Sequence, residues 1–146
     1  PTPIRLPDPA DCWQTLRATP FDAADRNTAD GNTAVREPAA RTAAALTTAT
    51  ALTAELDRVF NEVDLIATPT TPNPPHGHDG PGDTMSVALT WAFNITGHPA
   101  LSVPAGLTAD GEPVGLQLVA PHGREADLLA VAAAAEAAAA GPAGAR

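Results

Sequence analysis

The segment Thr90 to Ala120, T-W-A-F-N-I-T-G-H-P-A-L-S-V-P-A-G-L-T-A-D-G-E-P-V-G-L-Q-L-V-A, decides the fold, because its apolar period changes twice. Running into it, Met85, Val87, Ala88, Leu89, Trp91, Ala92, Phe93 and Ile95 are apolar on every side. That pattern predicts a helix over 84–96, buried all round. Asp83 is its expected N-cap; Gly97 supplies the left-handed position that ends a helix, and Pro99 prevents its resumption. Ala100 to Val103 then reads as a short buried strand. After Asp110-Gly111, a hairpin turn signal, Val114, Leu116 and Leu118 alternate with Gly115, Gln117 and Val119.

Working outward, Pro38 is expected to open a long helix reaching about Glu62. Leu46, Ala49, Leu52, Leu56, Val59 and Val63 recur at steps of three and four, which gives one apolar stripe. The stripe is diluted by alanine and threonine, so packing on the chain's own sheet is favoured over a coiled coil with a partner. Asp64 to Ala67 reads as a brief buried strand, and Thr68 to Pro75 as a proline-rich loop. A closing helix from Glu125 to about Ala139 carries acidic residues where the helix dipole is positive. Leu128, Leu129, Val131 and Ala132 are its expected docking face, and Gly141-Pro142 its stop.

The N-terminal segment, 1–36, reads as irregular with one short helix. Asp8-Pro9 starts that helix, which ends at Arg17 and buries Cys12, Trp13 and Leu16. Phe21 to Thr33 has no usable periodicity and reads as a loop with a turn at Asp30-Gly31. The whole is an α/β chain: a small mixed sheet, with an antiparallel hairpin, packed by helices. Strands are expected near 64–67, 100–104 and 114–120, with the first beside the second. The helix over 84–96 is expected across the sheet from the long and closing helices or, in a partner's absence, against the exposed face.

Composition narrows the function classes. A chain of 146 residues suits one domain and buries about two thirds of its unfolded surface on folding. A net charge of −9 without a basic cluster argues against nucleic acid or an anionic membrane as partner. There is no span suited to a membrane helix, and the alanine run at Ala132 to Ala140, broken by Glu136, is helix composition. One cysteine, Cys12, leaves no intramolecular disulfide, and a reducing cytoplasm is the default location. Cys12 as a thiol nucleophile would need a nearby histidine, so packing beside Trp13 is the simpler reading. A chain starting at Pro1 is expected to be processed or partial.

Four blocks of the sequence resemble the C-terminal part of the amidase signature family, the Ser-cis-Ser-Lys amide hydrolases. They are Asp64-Leu65-Ile66-Ala67-Thr68-Pro69-Thr70, Asn94 to Gly106, Pro113 to Val119, and Glu125 to Leu129, in family order, within residues 37 to 139. The resemblance implies that 37–146 is the C-terminal portion of an amidase-type domain, with no cofactor. It also implies a catalytic nucleophilic Ser, a bridging Ser and a neutral Lys whose pKa is lowered by burial. This chain has no lysine; all 8 of its basic residues are arginine, which does not deprotonate in proteins. Its only serines are Ser86 and Ser102, the latter where the family has a structural serine. No catalytic residue of the family is therefore assigned here.

The resemblance also suggests a substrate pocket. In fatty-acid amide hydrolases, positions ten, seven and three before the motif asparagine help line the acyl channel. Counting back from Asn94 gives Thr84, Val87 and Trp91, which share one face if the segment is helical. Simple core packing is the alternative for Trp91. Asn94 itself is expected to bond backbone in the Gly97 turn.

Other candidates are local. His76, His78 and Asp79 are metal-ligand types, but a Gly- and Pro-rich loop does not fix coordination geometry, so no metal is expected. Ser86, His78 and Asp79 could approach as a Ser-His-Asp set, although their spacing does not enforce it. His98 and His122 read as turn residues. The function classes left are an amidase piece whose catalytic portion lies elsewhere, a non-catalytic binding or assembly subunit, and a relic. A protein partner or a second copy is expected to cover the exposed sheet, and an amide substrate follows only if the catalytic half is supplied.

Overall fold

The computed structural model describes residues 4–17 and 33–140, with side chains described from 39 to 139 in the longer stretch. The expected loop with its Asp30-Gly31 turn and the Gly141-Pro142 helix stop lie outside the described residues. Helix α1 spans Ala10–Arg17. Asp8 Oδ1 accepts from the Ala10 amide at 2.9 Å, a cap that the Asp8-Pro9 pair foreshadows. Cys12 is buried, and its thiol donates to the Ala45 carbonyl on the next helix at 3.1 Å. Leu16, expected to be buried, is 42% exposed.

Helix α2 runs over Thr33–Phe60, starting five residues before the expected Pro38. A proline inside the helix removes one amide donor, but Thr33 to Glu37 contains no glycine or second proline to stop a helix. At 28 residues α2 is about 42 Å long. Leu52, Leu56 and Val59 are buried as the stripe predicts. Its upper end is rotated by one residue: Ala45 is buried under α1, while Leu46 is 55% exposed. Val63 falls beyond the helix end and is also exposed.

The sheet has three strands, β1 (Ile66–Pro69), β2 (Ala100–Leu107) and β3 (Pro113–Val119), in the order β1-β3-β2. β2 and β3 form the expected antiparallel hairpin, closed by Thr108 N to Glu112 O at 2.8 Å and by Gly111 at φ +83°. Two expectations are corrected. β1 pairs with β3 and not with β2, and the sheet is antiparallel throughout. The reason is visible beyond the strand end, where the Thr70 amide donates to the Gly115 carbonyl at 2.9 Å and extends the β1–β3 ladder.

Partnered residues share a face, so Ile66, Ala100 and Val119 lie on one side and Leu101, Val103 and Leu118 on the other. On the first face Leu56, Val59, Ile66, Phe93 and Val119 form one buried cluster, with Leu6 and Phe60 against it. On the second, Val103, Leu118, Ala120, Leu128 and Ala132 form another. The closing helix α4 (Glu125–Ala140) therefore covers the face opposite α2. Leu128 and Ala132, one turn apart, are its buried pair. Leu129 and Val131, also expected in the docking face, are exposed at 63% and 40%.

The segment 84–96 departs most from its expectation. Only Trp91–Thr96 is α-helix (α3), preceded by a single 3₁₀ turn at Ala88–Thr90. Met85 and Val87 are 52% and 48% exposed, so the segment is not buried all round. Asp83 caps nothing; the residue before α3 is Thr90, whose side chain makes no cap bond. Polar contacts from the preceding loop hold the first turn open, with Asn73 Nδ2 donating to the Thr84 carbonyl at 3.0 Å. Gly97 ends α3 as expected, at φ +72°, its amide donating to Phe93 O at 2.8 Å. Asn94 is exposed and donates to Thr90 Oγ1 at 3.3 Å, not to the Gly97 turn. Through Phe93, α3 joins α2 on the same face of the sheet, not on the opposite one.

Candidate functional site

Three of the motif blocks meet at one end of the sheet. Thr70 leaves β1, Ser102 lies in β2, and Gly115 stands between them on the centre strand. The two hydroxyls bond each other across the glycine, Thr70 Oγ1 to Ser102 Oγ at 2.6 Å. A Cβ at position 115 would lie 2.7 Å from Thr70 Oγ1 and 2.9 Å from Ser102 Oγ, so only glycine admits this bond without a shift. Ser102 thus acts as a tie between strand edges, in keeping with its structural reading.

Deeper in the sheet, Gln117 is buried at 4% exposure. Its amide nitrogen donates to Thr68 Oγ1 at 3.0 Å and to the Leu89 carbonyl at 3.2 Å. This second bond fastens the 3₁₀ turn before α3 onto the sheet. Buried amides without partners are costly, and here the side-chain nitrogen is satisfied twice. The glycine and the glutamine of a single alternating strand therefore do different things. One makes room for a hydroxyl pair; the other locks the adjoining helix.

A cleft of about 560 Å³ opens beside this end of the sheet. Its walls are the proline-rich loop after β1, including Pro72, Asn73 and His76, together with Ser86, Thr108 and Val114. A second open cleft of about 510 Å³ continues past Gly115 along Ser102, Pro104 and Leu107. His76 Nε2 lies 3.0 Å from Ser86 Oγ, and His76 Nδ1 lies 3.0 Å from the Gly77 carbonyl. Of the Ser86, His78 and Asp79 set considered from sequence, only Ser86 finds a histidine partner, and it is His76. The signal for it was the ten-residue separation across a turn-rich loop, which fixes no geometry until the loop folds back.

The pocket residues inferred by resemblance are not brought onto one helical face. Thr84 and Val87 precede the helical turns, and only Trp91 lies in α3. Thr84 offers its carbonyl to Asn73, and Val87 offers its own to the Thr90 hydroxyl at 2.8 Å. Trp91 is half-buried, and its indole N–H is enclosed without a hydrogen-bond partner among the described residues. Asn73 Oδ1 is enclosed in the same way.

The other histidines gather at the opposite end of the sheet. His98 is buried at 6% exposure, its Nδ1 2.8 Å from Thr96 Oγ1 and its Nε2 3.9 Å from Asp57 Oδ1. Its ring stacks on Phe60 at 5.3 Å and tilts against His122 at 4.1 Å. Burial and the neighbouring His122 hold its pKa below the ordinary value, against an opposing pull from Asp57. Cys12 is shifted the other way: burial raises its thiol pKa, which disfavours the reactive thiolate. Among the described residues no group of three or more His, Cys, Asp or Glu side chains is placed to hold a metal ion.

A model of the amidase family matches residues 16–129. The chain belongs to the amidase signature family. The match starts before the first motif block and includes the last two residues of α1 and all of α2. Among curated relatives, the chain is 43% identical over 83 residues to a glutamyl-tRNA(Gln) amidotransferase subunit from Synechococcus sp. (strain RCC307). That alignment covers 53% of the chain and 17% of the relative. Among solved structures, a 6-aminohexanoate cyclic dimer hydrolase superposes with a TM-score of 0.59 at 26% identity, over 90% of this chain and 32% of that one. The corresponding glutamyl-tRNA(Gln) amidotransferase subunit from Thermotoga maritima gives 0.55 at 26% identity, over 82% of this chain and 30% of that one. The chain thus spans less than a fifth of the curated relative and about a third of the solved structures. No helix among the described residues is long and apolar enough to cross a membrane.

Proposed function

We propose that this chain is the C-terminal portion of an amidase-type hydrolase and does not hydrolyse amides by the family's route on its own. The observation that carries this is chemical. Motif residues of the family's C-terminal part are present, with Thr70, Ser102, Gly115 and Gln117 bonded or packed together in the sheet. The base of the family's chemistry is not: the chain has no lysine, and arginine does not serve as a proton acceptor. In this reading the chain contributes the sheet and one wall of a substrate cleft; Thr84, Val87 and Trp91 line neither of the two clefts described, and meet the acyl part of an amide only once the rest of the domain packs against them. The nucleophilic serine, the bridging serine and the lysine come from another stretch of polypeptide.

A second reading, a non-catalytic assembly subunit derived from an amidase, is favoured by one observation. Leu107 and Leu129 stay 69% and 63% exposed, one at the end of the open strand edge and the other on the closing helix. The experiment that separates the two is steady-state hydrolysis of simple aryl and alkyl amides. The chain alone is expected to show no turnover, and activity is expected only when a lysine-bearing amidase segment is added. Amide turnover by the mass-verified chain alone, lost on Ser102→Ala or Ser86→Ala, would overturn the proposal. No activity with any lysine-bearing segment, together with stable binding to one, would favour the assembly role.

A further inference from the structure

We propose that Ser86 and His76 form a nucleophile–base pair that accepts an acyl group from small, apolar activated esters. The pair is separate from the family's Ser-Ser-Lys chemistry, and the inference does not rest on where that chemistry resides.

The tautomer of His76 carries the argument. Its Nδ1 lies 3.0 Å from the Gly77 carbonyl, and a carbonyl oxygen only accepts. In the neutral ring Nδ1 therefore bears the proton and donates it, which leaves Nε2 as a bare acceptor. Nε2 lies 3.0 Å from Ser86 Oγ, within the reach needed for a general base to take the hydroxyl proton. The orienting carbonyl is itself held, since the Gly80 amide donates to Gly77 O at 3.1 Å across a tight turn. A backbone carbonyl thus fills the place that a carboxylate holds in a Ser-His-Asp triad. His78 and Asp79, the nearer residues in sequence, are not needed.

The surroundings define the acyl donor. Both side chains line the 560 Å³ cleft, whose other walls include Pro72, Pro74, Pro113 and Val114. Met85 and Val87, on either side of Ser86, are 52% and 48% exposed. An apolar acyl chain of a few carbons suits such walls. Among the described residues no Arg side chain lines the cleft to hold a charged donor. In the step itself Ser86 Oγ bonds to the ester carbonyl carbon while His76 Nε2 takes the hydroxyl proton. The C–O bond to the leaving group then breaks, and the same proton passes to the departing oxygen. The products are acyl-Ser86 and a free phenol or alcohol, with no oxidant, metal or co-reactant required.

The test uses the full chain with p-nitrophenyl acetate and p-nitrophenyl butyrate. A burst of one p-nitrophenolate per chain is expected, with the matching mass increase mapped by peptide sequencing to Ser86. With no lysine in the sequence, no side-chain amine competes for the acyl group. Ser86→Ala is expected to lose the label, and His76→Asn to slow the burst about 100-fold. His78→Ala is expected to keep the original rate. Labelling of wild-type protein elsewhere than Ser86, no burst, or a His76→Asn burst as fast as wild type would each overturn the proposal. The wild-type mapping needs no variant to fold. An outcome here leaves the amide result untouched, because that measurement reads turnover of amides.

Discussion

His98 shows what one residue can tie together. It sits in the turn between α3 and β2, where the sequence placed it, but its ring is enclosed between Phe60 of α2 and His122 of the turn before α4. Three elements on both sides of the sheet therefore meet at an imidazole whose neutral form is favoured. The groups facing it are His122, which disfavours a second positive charge, and Asp57, whose carboxylate lies 3.9 Å away and opposes the shift. A base whose folded pKa is depressed binds fewer protons when folded than when unfolded, so stability falls as the pH is lowered. The stabilisation is whole above the unfolded value near 6.5 and is lost progressively as pH drops from there towards the folded value. Urea midpoints at pH 8 and pH 5 measure this, with a lower midpoint expected in acid. His98→Gln is expected to flatten the dependence in that window, and Asp57→Asn to steepen it. An unchanged slope in His98→Gln would assign the acid loss to other groups.

Among the elements, α2 and the hairpin were legible because their signals are local. The three- and four-residue steps of Leu52, Leu56 and Val59, and the Asp110-Gly111 turn, need no knowledge of the rest of the chain. The burial of Ala45 in place of Leu46 was not legible, since it is set by where α1 lays Cys12. The first half of 84–96 was misread for a related reason. Its apolar composition fits a helix, but Asn73 takes the Thr84 carbonyl and His76 takes the Ser86 hydroxyl, and both partners come from a loop more than nine residues upstream. Sheet order was equally hidden, although Gly115 held a clue: two motif hydroxyls that meet over a glycine place that glycine on the strand between them. The helix contacts give a measurable contrast. Leu56→Ala, at a fully buried position shared by α2 and the sheet, is expected to cost about 2–5 kcal/mol. Leu129→Ala on the exposed side of α4 is expected to stay within about 0.5 kcal/mol of wild type. Chemical denaturation of both variants checks the pair, and equal losses would mean that Leu129 is covered in solution.

At the scale of the whole molecule, a three-stranded sheet with β1 and β2 both at its edges leaves two rows of backbone groups without strand partners among the described residues. The two edges are not equivalent. β1 is four residues long and ends in Pro69, which limits the ladder it can offer. β2 is eight residues long and runs regularly from Ala100 to Pro104 before its register shifts towards Leu107. The β2 edge, with Leu107 69% exposed at its end, is therefore the surface expected to recruit another strand. Charge decides which kind of partner arrives. Two copies at −9 each repel, so self-association is expected to strengthen as salt is added and the repulsion is screened. Association with a basic chain is expected to weaken under the same change. Sedimentation velocity of the chain at micromolar concentration, at about 20 mM and about 500 mM salt, reads the first directly, since the Debye length falls several-fold over that range. Leu107→Arg, which adds a charge to the edge, is expected to lower the associated fraction at high salt. A monomer under both conditions, with a cooperative melt at high temperature, would show that the open edge needs no cover.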